Sequence, residues 1–340
     1  ATNLEIMIRN STKNEIIRQG RSSSHELASM QAARGVSKTA VPTKKRDGFE
    51  LIPANPILYD IDLTSELNFC DITYKISSFD HCARMAFNRP HVLHAFRPTT
   101  INELRCALDH AQDDVRVATI LLSSEIYPEE RTPAFCSGGD QSVRSSDGGY
   151  IDGSEDVPRL RVLDLQVQMR RCPKPIIAVV RGYAIGGGHI LHMVADITIA
   201  GADSVFGQTG PRMGSFDAGY GSTRMARLIG QKKAREMWFT CKFYDAQEAL
   251  QMGLVNAVYD VDALEGEVGR WVRRIAMNSP TAIACTKAAL NADEDGAAGI
   301  QLMGGHLTRL FYMSKEGQEG RDSYLQGRAP NFRNIPQSRL

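Results

Sequence analysis

Between Phe206 and Gly221 the chain reads FGQTGPRMGSFDAGYG, with glycines at 207, 210, 214, 219 and 221. So glycine-rich a backbone takes positive φ readily and lets other atoms approach closely. It argues against a long helix or strand and for a built loop. Gln208, Thr209, Ser215, Asp217 and Tyr220 stand between the glycines and give that loop polar groups to direct at a ligand. Plain surface loops share this composition, so a second stretch is needed to weigh the two readings. Upstream, the apolar run Ile176–Val180 leads into GYAIGGGH, Gly182 to His189, and then a helix pattern from Gly187 to Ala195. A strand, a glycine triplet and a helix put unsatisfied backbone N–H groups at a helix N-terminus, where negative charge is favoured.

The chain around these stretches has 340 residues, 42% of them hydrophobic, enough for a sizeable core. A net charge of +1 gives no global basic field for nucleic acid. No apolar run approaches the length of a membrane span. Cys70, Cys82, Cys106, Cys136, Cys172, Cys241 and Cys285 are scattered, without a C-x-x-C pair. That pattern reads as reduced thiols of an intracellular protein rather than a disulfide framework.

Residues 1–50 are Ser-, Arg- and Lys-rich with little periodicity and read as a flexible extension or a targeting segment. The remainder divides into a core at 51–260, a helical region at 261–332 and an exposed tail at 333–340. ITYKIS and CARMAFN read as strands separated by a polar turn at 78–81. Thr100-Ile-Asn-Glu103 is a capping box that opens a helix running to about Gln112. Val117–Leu122 and Ile176–Val180 read as buried strands, and Asp196–Ala200 as another. A helix is expected from about Val157 to Arg171, and a series of helices from Ser222 to about Gln326. Strands alternating with helices and then a helical tail imply an α/β core with a C-terminal helical region.

Two glycine turns carry the chemistry, Ser137–Asp140 and Ile185–Gly188, each after an extended segment. Were those segments neighbours, the N–H groups of Gly139 and Gly187 would converge on one oxygen and stabilise an enolate or tetrahedral oxyanion. Losing one such donor costs roughly 3 kcal/mol of barrier. Neither turn has P-loop or dinucleotide-fingerprint spacing. His189 and His192 lie one helical turn apart without a third ligand at zinc-site spacing, and read as packed helix residues. Ser215 lacks a nucleophile elbow and reads as a hydrogen-bond donor. On composition, Tyr150 and Tyr312 read as core or rim aromatics.

Taken together, these motifs resemble the crotonase superfamily of acyl-CoA enzymes over about Ile72 to Phe332. That resemblance implies a ββα spiral core, trimers paired into hexamers through the C-terminal helices, and an oxyanion hole from the Gly139 and Gly187 amides. Within the superfamily, SGGDQ (137–141), GGY (148–150), GQTGP-x-x-GSFD-x-GYGS (207–222) and LFYM (310–313) resemble the 1,4-dihydroxy-2-naphthoyl-CoA synthase family. NADEDGAAGIQ (291–301) and EGQEGR (316–321) extend the likeness. Enoyl-CoA hydratases carry two glutamates that handle water; the matching positions here are Ile190 and Gly210. Neither side chain can act as acid or base, which argues against hydration.

The synthase family closes a ring in o-succinylbenzoyl-CoA by an intramolecular Claisen condensation with loss of water, on the route to menaquinone or phylloquinone. One branch has an aspartate where this chain has Gly210. The glycine branch resembles a bicarbonate-dependent enzyme, which implies a bicarbonate site lined by Gln208, Thr209, the Gly210 amide and Trp238. The resemblance further implies Tyr150 and Ser215 on a carboxyl or keto oxygen, Asp217 as proton shuttle, and Tyr312 completing the site from a neighbouring subunit. It also implies substrate contacts at Ser137, Gly138, Asp140 and Gln141, with Arg97 and Arg144 as candidates for a CoA phosphate or a substrate carboxylate. Ser338-Arg339-Leu340 resembles the peroxisomal S-K-L address, to be read by an import receptor; bacterial relatives are cytoplasmic. The other readings are a different crotonase-type isomerase or hydrolase, or a non-catalytic acyl-CoA- or RNA-binding homologue.

Overall fold

The computed structural model describes residues 48–128, 132–146, 149–154, 159–216 and 219–335. The targeting reading of the first 47 residues, the Ser338-Arg339-Leu340 address, Gly148 and Asp217 fall outside them. In chain order the first elements are β1 (Ile61–Asp62), β2 (Ile72–Ser77), β3 (Cys82–Phe87), α1 (Pro98–Asp113), β4 (Thr119–Ser124) and β5 (Ala134–Cys136). Next come α2 (Val162–Arg171), β6 (Ile176–Val180), β7 (Tyr183–Ile185), α3 (Gly187–Val194), β8 (Ile197–Gly201) and β9 (Val205–Gly207). Then follow α4 (Gly221–Ile229), α5 (Gln231–Thr240), β10 (Phe243–Asp245), α6 (Ala246–Gln251) and β11 (Ala257–Tyr259). The chain closes with α7 (Val261–Ala276), α8 (Pro280–Asp295), α9 (Ala297–Tyr312) and α10 (Lys315–Leu325).

Strands sort into two sheets. The larger has the order β1-β2-β3-β4-β6-β8-β11, antiparallel from β1 to β3 and parallel beyond. The smaller has the order β10-β9-β7-β5, with β9, β7 and β5 parallel. Successive strand side chains point to opposite faces, and β6 shows why its apolar run is continuous. Ile176, Ala178 and Val180 enter the main core with Phe135, Ile190 and Phe206, while Ile177 and Val179 enter a second core behind the sheet. A strand buried on both faces has no polar alternation to display.

The second core also takes in residues beyond 261. Leu264, Val268 and Val272 of α7 are buried there with Leu121, Ile177 and Ile199. Arg84 of β3 also donates to both carboxylate oxygens of Glu265, at 3.1 and 2.6 Å. The α7 helix therefore packs on the back of the larger sheet. Lys287, buried on α8, ties that helix to the core by donating to Met169 O, Lys174 O and the Asp196 carboxylate.

Helix α1 also starts differently from expectation, at Pro98. Its cap uses Thr100 Oγ1, which accepts from Arg97 N at 3.1 Å. Glu103, read as the acid of the capping box, instead accepts from the backbone N–H groups of Cys70, Asp71 and Ile72. A buried carboxylate finds more donors in an adjacent strand entry than at its own helix end. The strand read at Val117–Leu122 lies two residues later, and β7 was not read at all, because three residues among glycines carry no periodicity. Among the described residues, no helix is long and apolar enough to cross a membrane.

Candidate active site

Because β5, β7 and β9 are parallel with β7 between, their C-terminal ends open on one side. The chain leaves them through Ser137–Gly138–Gly139, Gly186–Gly187 and Gln208–Thr209–Gly210 respectively. Loops at the carboxyl ends of parallel strands are where α/β folds bind ligands. Here strand adjacency brings together two glycine turns and a polar loop that are far apart in sequence.

The first two loops touch. A Cβ added at Gly138 would lie 3.0 Å from Gly187 N, and one added at Gly187 would lie 3.5 Å from Gly138 Cα. Helix α3 reaches this position by packing its backbone on β5: a Cβ at Gly188 would stand 2.1 Å from Cys136 O. Phe96 holds the other side through an isolated parallel bridge to Gly139. Its N–H donates to Gly138 O and its carbonyl accepts from Asp140 N, both at 2.9 Å. That pattern turns the Gly139 N–H away from Phe96. The N–H of Gly187, at the first position of α3, has no intrahelical acceptor. Among the described residues neither N–H has a hydrogen-bond acceptor, which is the condition for two donors to meet a ligand oxygen.

Around the pair, a Cβ on Gly139 would fall 2.5 Å from the Tyr150 hydroxyl, so that hydroxyl lies beside the turn. Gln141 Nε2 donates to Gly139 O at 2.9 Å and to Tyr150 Oη at 3.4 Å. Arg144 accompanies Tyr150 in an antiparallel bridge and donates to Gly214 O at 3.1 Å. It thus joins the loop carrying Tyr150 to the loop carrying Ser215. Ser215 is exposed, donates its N–H to Gly210 O and turns its hydroxyl to Phe216 O.

Third in the row is the Gly210 loop. Gln208 and Thr209 are buried, and Gln208 Nε2 donates to Gly186 O at 3.4 Å. Thr209 Oγ1 would lie 3.5 Å from a Cβ on Gly186. A Cβ on Gly210 would meet Ser215 O and Trp238 Cζ3, each at 3.1 Å. The Trp238 indole N–H is buried without a partner among the described residues. Of the residues matched to the hydratase glutamates, Gly210 opens the 3-10 turn Gly210–Met213 and Ile190 is buried in the main core.

Other assigned residues do not present their side chains to this cluster. Asp140 is 6% exposed and faces inward, pairing with Arg89 at 3.0 Å and accepting from Ser142. Arg89 and the Ser142 N–H and hydroxyl give that carboxylate three donors within the protein. Burial alone would raise its pKa, but Ser142 and Arg89 outweigh that and hold it below the usual carboxylate value. Ser137 Oγ donates to Val92 O. Arg97 grips Asp71 with two donors at 2.8 Å, which leaves less of its fork for a phosphate. Tyr312 does not join the cluster; it is 65% exposed on α9, which packs against α8 and α10. Cys136, beside the glycine turn, has its thiol pushed up to about 12 by burial, which removes it as a nucleophile at neutral pH. Sequence reasoning missed Phe96 and Arg89. Their one signal was Asn88-Arg89-Pro90, a polar break directly after an apolar strand.

His189 and His192 are packed helix residues. Both are fully enclosed, joined through His192 Nε2 and His189 Nδ1 at 3.2 Å, with Phe206 against both rings. Burial pushes His189 down to about 3 from the ordinary 6.5. An unfolded chain would protonate it near 6.5, so its stabilisation is full above that value and is lost as pH falls from 6.5 towards 3. Urea unfolding at pH 7 and pH 5 should show a stability loss about 2 kcal/mol larger in wild type than in His189→Gln. Equal losses would remove His189 from the acid sensitivity.

Residues 80–335 match the family model described as enoyl-CoA hydratase/isomerase. Among solved structures, an enoyl-CoA hydratase subunit I from Geobacillus kaustophilus is 27% identical at TM-score 0.59, covering 78% of this chain and 98% of that one. The enoyl-CoA hydratase of Mycobacterium smegmatis is 25% identical at TM-score 0.60, covering 78% and 100%. That of Bacillus anthracis, at 24% identity and TM-score 0.60, shares the fold over the same 78% and 100%. The two sheets with their C-terminal helices are the crotonase fold expected from the motifs, and the chain belongs to the enoyl-CoA hydratase/isomerase family of acyl-CoA enzymes.

Proposed function

We propose that the chain converts o-succinylbenzoyl-CoA to 1,4-dihydroxy-2-naphthoyl-CoA by intramolecular Claisen condensation with loss of water. The observation that carries this reading is the row of loops: two N–H donors without an acceptor among the described residues, beside the buried polar residues Gln208 and Thr209 and the turn at Gly210. Enolate formation next to a thioester needs donors for the oxygen, which Gly139 and Gly187 offer. It also needs a base within reach, and no carboxylate stands at Ile190 or Gly210.

The groups around Gly210 suit a small oxyanion. Gln208 and Thr209 are buried polar residues, the Gly210 N–H has no acceptor among the described residues, and the Trp238 indole N–H is buried and unpartnered. An aspartate at 210 would have to displace Ser215 O or the Trp238 ring, since even a Cβ stands 3.1 Å from each. Bicarbonate bound there would supply the base for the proton beside the thioester. Tyr150, with its hydroxyl beside Gly139, and Ser215, bonded to Gly210 O, would hold oxygens at the succinyl end. Asp217 is assigned the later proton transfers by resemblance.

Tyr312 belongs to this reading as a residue lent to the neighbouring subunit's site. It sits among exposed apolar side chains: Leu307, Leu310, Phe311 and Met313 are between 41% and 74% exposed. A patch of that kind marks a protein interface, and a homohexamer built through the C-terminal helices would cover it. Menaquinone or phylloquinone synthesis, in a peroxisome or a bacterial cytoplasm, is the corresponding setting.

The test is turnover of o-succinylbenzoyl-CoA in degassed buffer with and without added bicarbonate. Naphthoyl product formed only with bicarbonate is the expected result. Turnover indifferent to bicarbonate would keep the reaction and transfer the base to a protein group, Asp217 first. Absence of product from folded protein in both buffers would overturn the synthase reading and return the chain to other acyl-CoA chemistry.

A further inference from the structure

Behind the Gly139 turn lies a buried charge cluster that no step above uses. Arg89, 8% exposed, donates from Nη2 to the Asp140 carboxylate at 3.0 Å and from Nη1 to Ala95 O. Its Nε also lies 3.6 Å from the Asp71 carboxylate. Asp71, 3% exposed, is itself held by Arg97 and the Thr100 hydroxyl. The placement within the bridge is informative. Ala95 precedes Phe96 and Asp140 follows Gly139, and Phe96 and Gly139 are the bridged residues. A single guanidinium therefore grips both strands of that bridge.

We infer that Arg89 and Asp140 are a positioning pair that aims the Gly139 N–H into the cleft. The inference rests on reading Gly139 as a donor to the substrate's carbonyl oxygen. Neither side chain touches substrate; they act through the backbone between them. A buried ion pair is weak evidence for stability, because well-packed apolar residues often serve as well. What apolar packing lacks is direction. Arg89 donates along fixed axes, and Ser142 N–H and Oγ occupy the other carboxylate oxygen of Asp140. The Gly138–Gly139 turn, with φ of +94° at Gly138, has no side chain of its own to fix it. Its aim must come from its neighbours.

Two readouts test this: steady-state kinetics with o-succinylbenzoyl-CoA, and the infrared carbonyl stretch of benzoyl-CoA labelled with carbon-13 at the thioester carbonyl. A carbonyl held by two N–H donors shifts to lower frequency on binding to wild type. In Asp140→Asn, which keeps the side chain's shape and an acceptor for Ser142, that shift should shrink. Its kcat should fall about ten- to a hundredfold, with KM unchanged. Arg89→Lys should do the same, and the double variant should be no worse than the poorer single one. If Arg89→Lys fails to accumulate, Asp140→Asn carries the test alone. No shift in wild type would overturn the donor reading and this inference with it. A wild-type shift that Asp140→Asn retains in full, with or without a loss of kcat, would overturn the inference alone, because a merely structural role leaves the carbonyl's hydrogen bonds intact.

Discussion

On the proposed synthase reading, Gly187→Ala is expected to lower kcat for o-succinylbenzoyl-CoA by about a hundredfold or more, with the protein still folded. The backbone is not the obstacle, since Gly187 begins a helix that alanine favours. The obstacle is Phe96: an added Cβ would lie 2.5 Å from its Cζ and 2.9 Å from its Cε1. That ring is 2% exposed and packed in the main core, so it has little room to swing aside. If it moves, it pulls on the residue bridged to Gly139. If it stays, the N-terminus of α3 must back away. Either response separates the two N–H donors from their common target, and a displacement near 1 Å suffices to cost about a hundredfold. Steady-state kinetics with sedimentation of the same sample checks the result. Gly187→Ala/Phe96→Leu, which vacates the space, should recover part of the loss. Full activity in the single variant would mean that the Gly187 amide is not a donor in the reaction.

Gly188→Ala should strike the fold instead, one residue further along the same helix. Here a Cβ would stand 2.1 Å from Cys136 O, 2.8 Å from its carbonyl carbon and 2.7 Å from its Cβ. Two of these atoms are backbone of β5, and the strand cannot rotate out of the way as a side chain can. Separating α3 from β5 loosens Leu191 and Phe135 in the core and strips contacts from both layers. Overpacking of this kind costs roughly 1–3 kcal/mol where side chains can yield. Backbone against backbone places it in the exceptional class, about 4 kcal/mol or more. Urea unfolding at fixed protein concentration would report it as a lower midpoint with an unchanged slope. A midpoint within experimental error of wild type would show that α3 can move off β5 cheaply.

The pairing of these outcomes follows from what each glycine touches. Gly187 faces the Phe96 side chain, and Gly188 faces the backbone of β5. Adjacent substitutions of identical chemistry thereby separate catalysis from stability.

Much of this arrangement was legible in the residues alone. ITYKIS and IIAVV are strands over the residues read, because β-branched runs bounded by turn residues leave the backbone few alternatives. The glycine triplet leading into a helix also stands where the pattern put it, since glycine tolerates the φ of +56° at Gly186. The motifs marked Gly139, Gly187 and Gly210, and these three stand on the loops that follow the neighbouring strands β5, β7 and β9. Periodicity stopped short of β7, whose three residues are shorter than any repeat. It also gave Glu103 to a helix cap, and nothing in the local pattern showed the distant partner of Asp140. Their partners are Cys70, Asp71 and Ile72 in one case and Arg89 in the other, each more than 30 residues away. Local sequence determines which backbone conformations are cheap, and so which segments become strands, turns and helix starts. Which N–H is left without an acceptor and which buried carboxylate meets which arginine depend on contacts across the two sheets, and only the tertiary structure decides those.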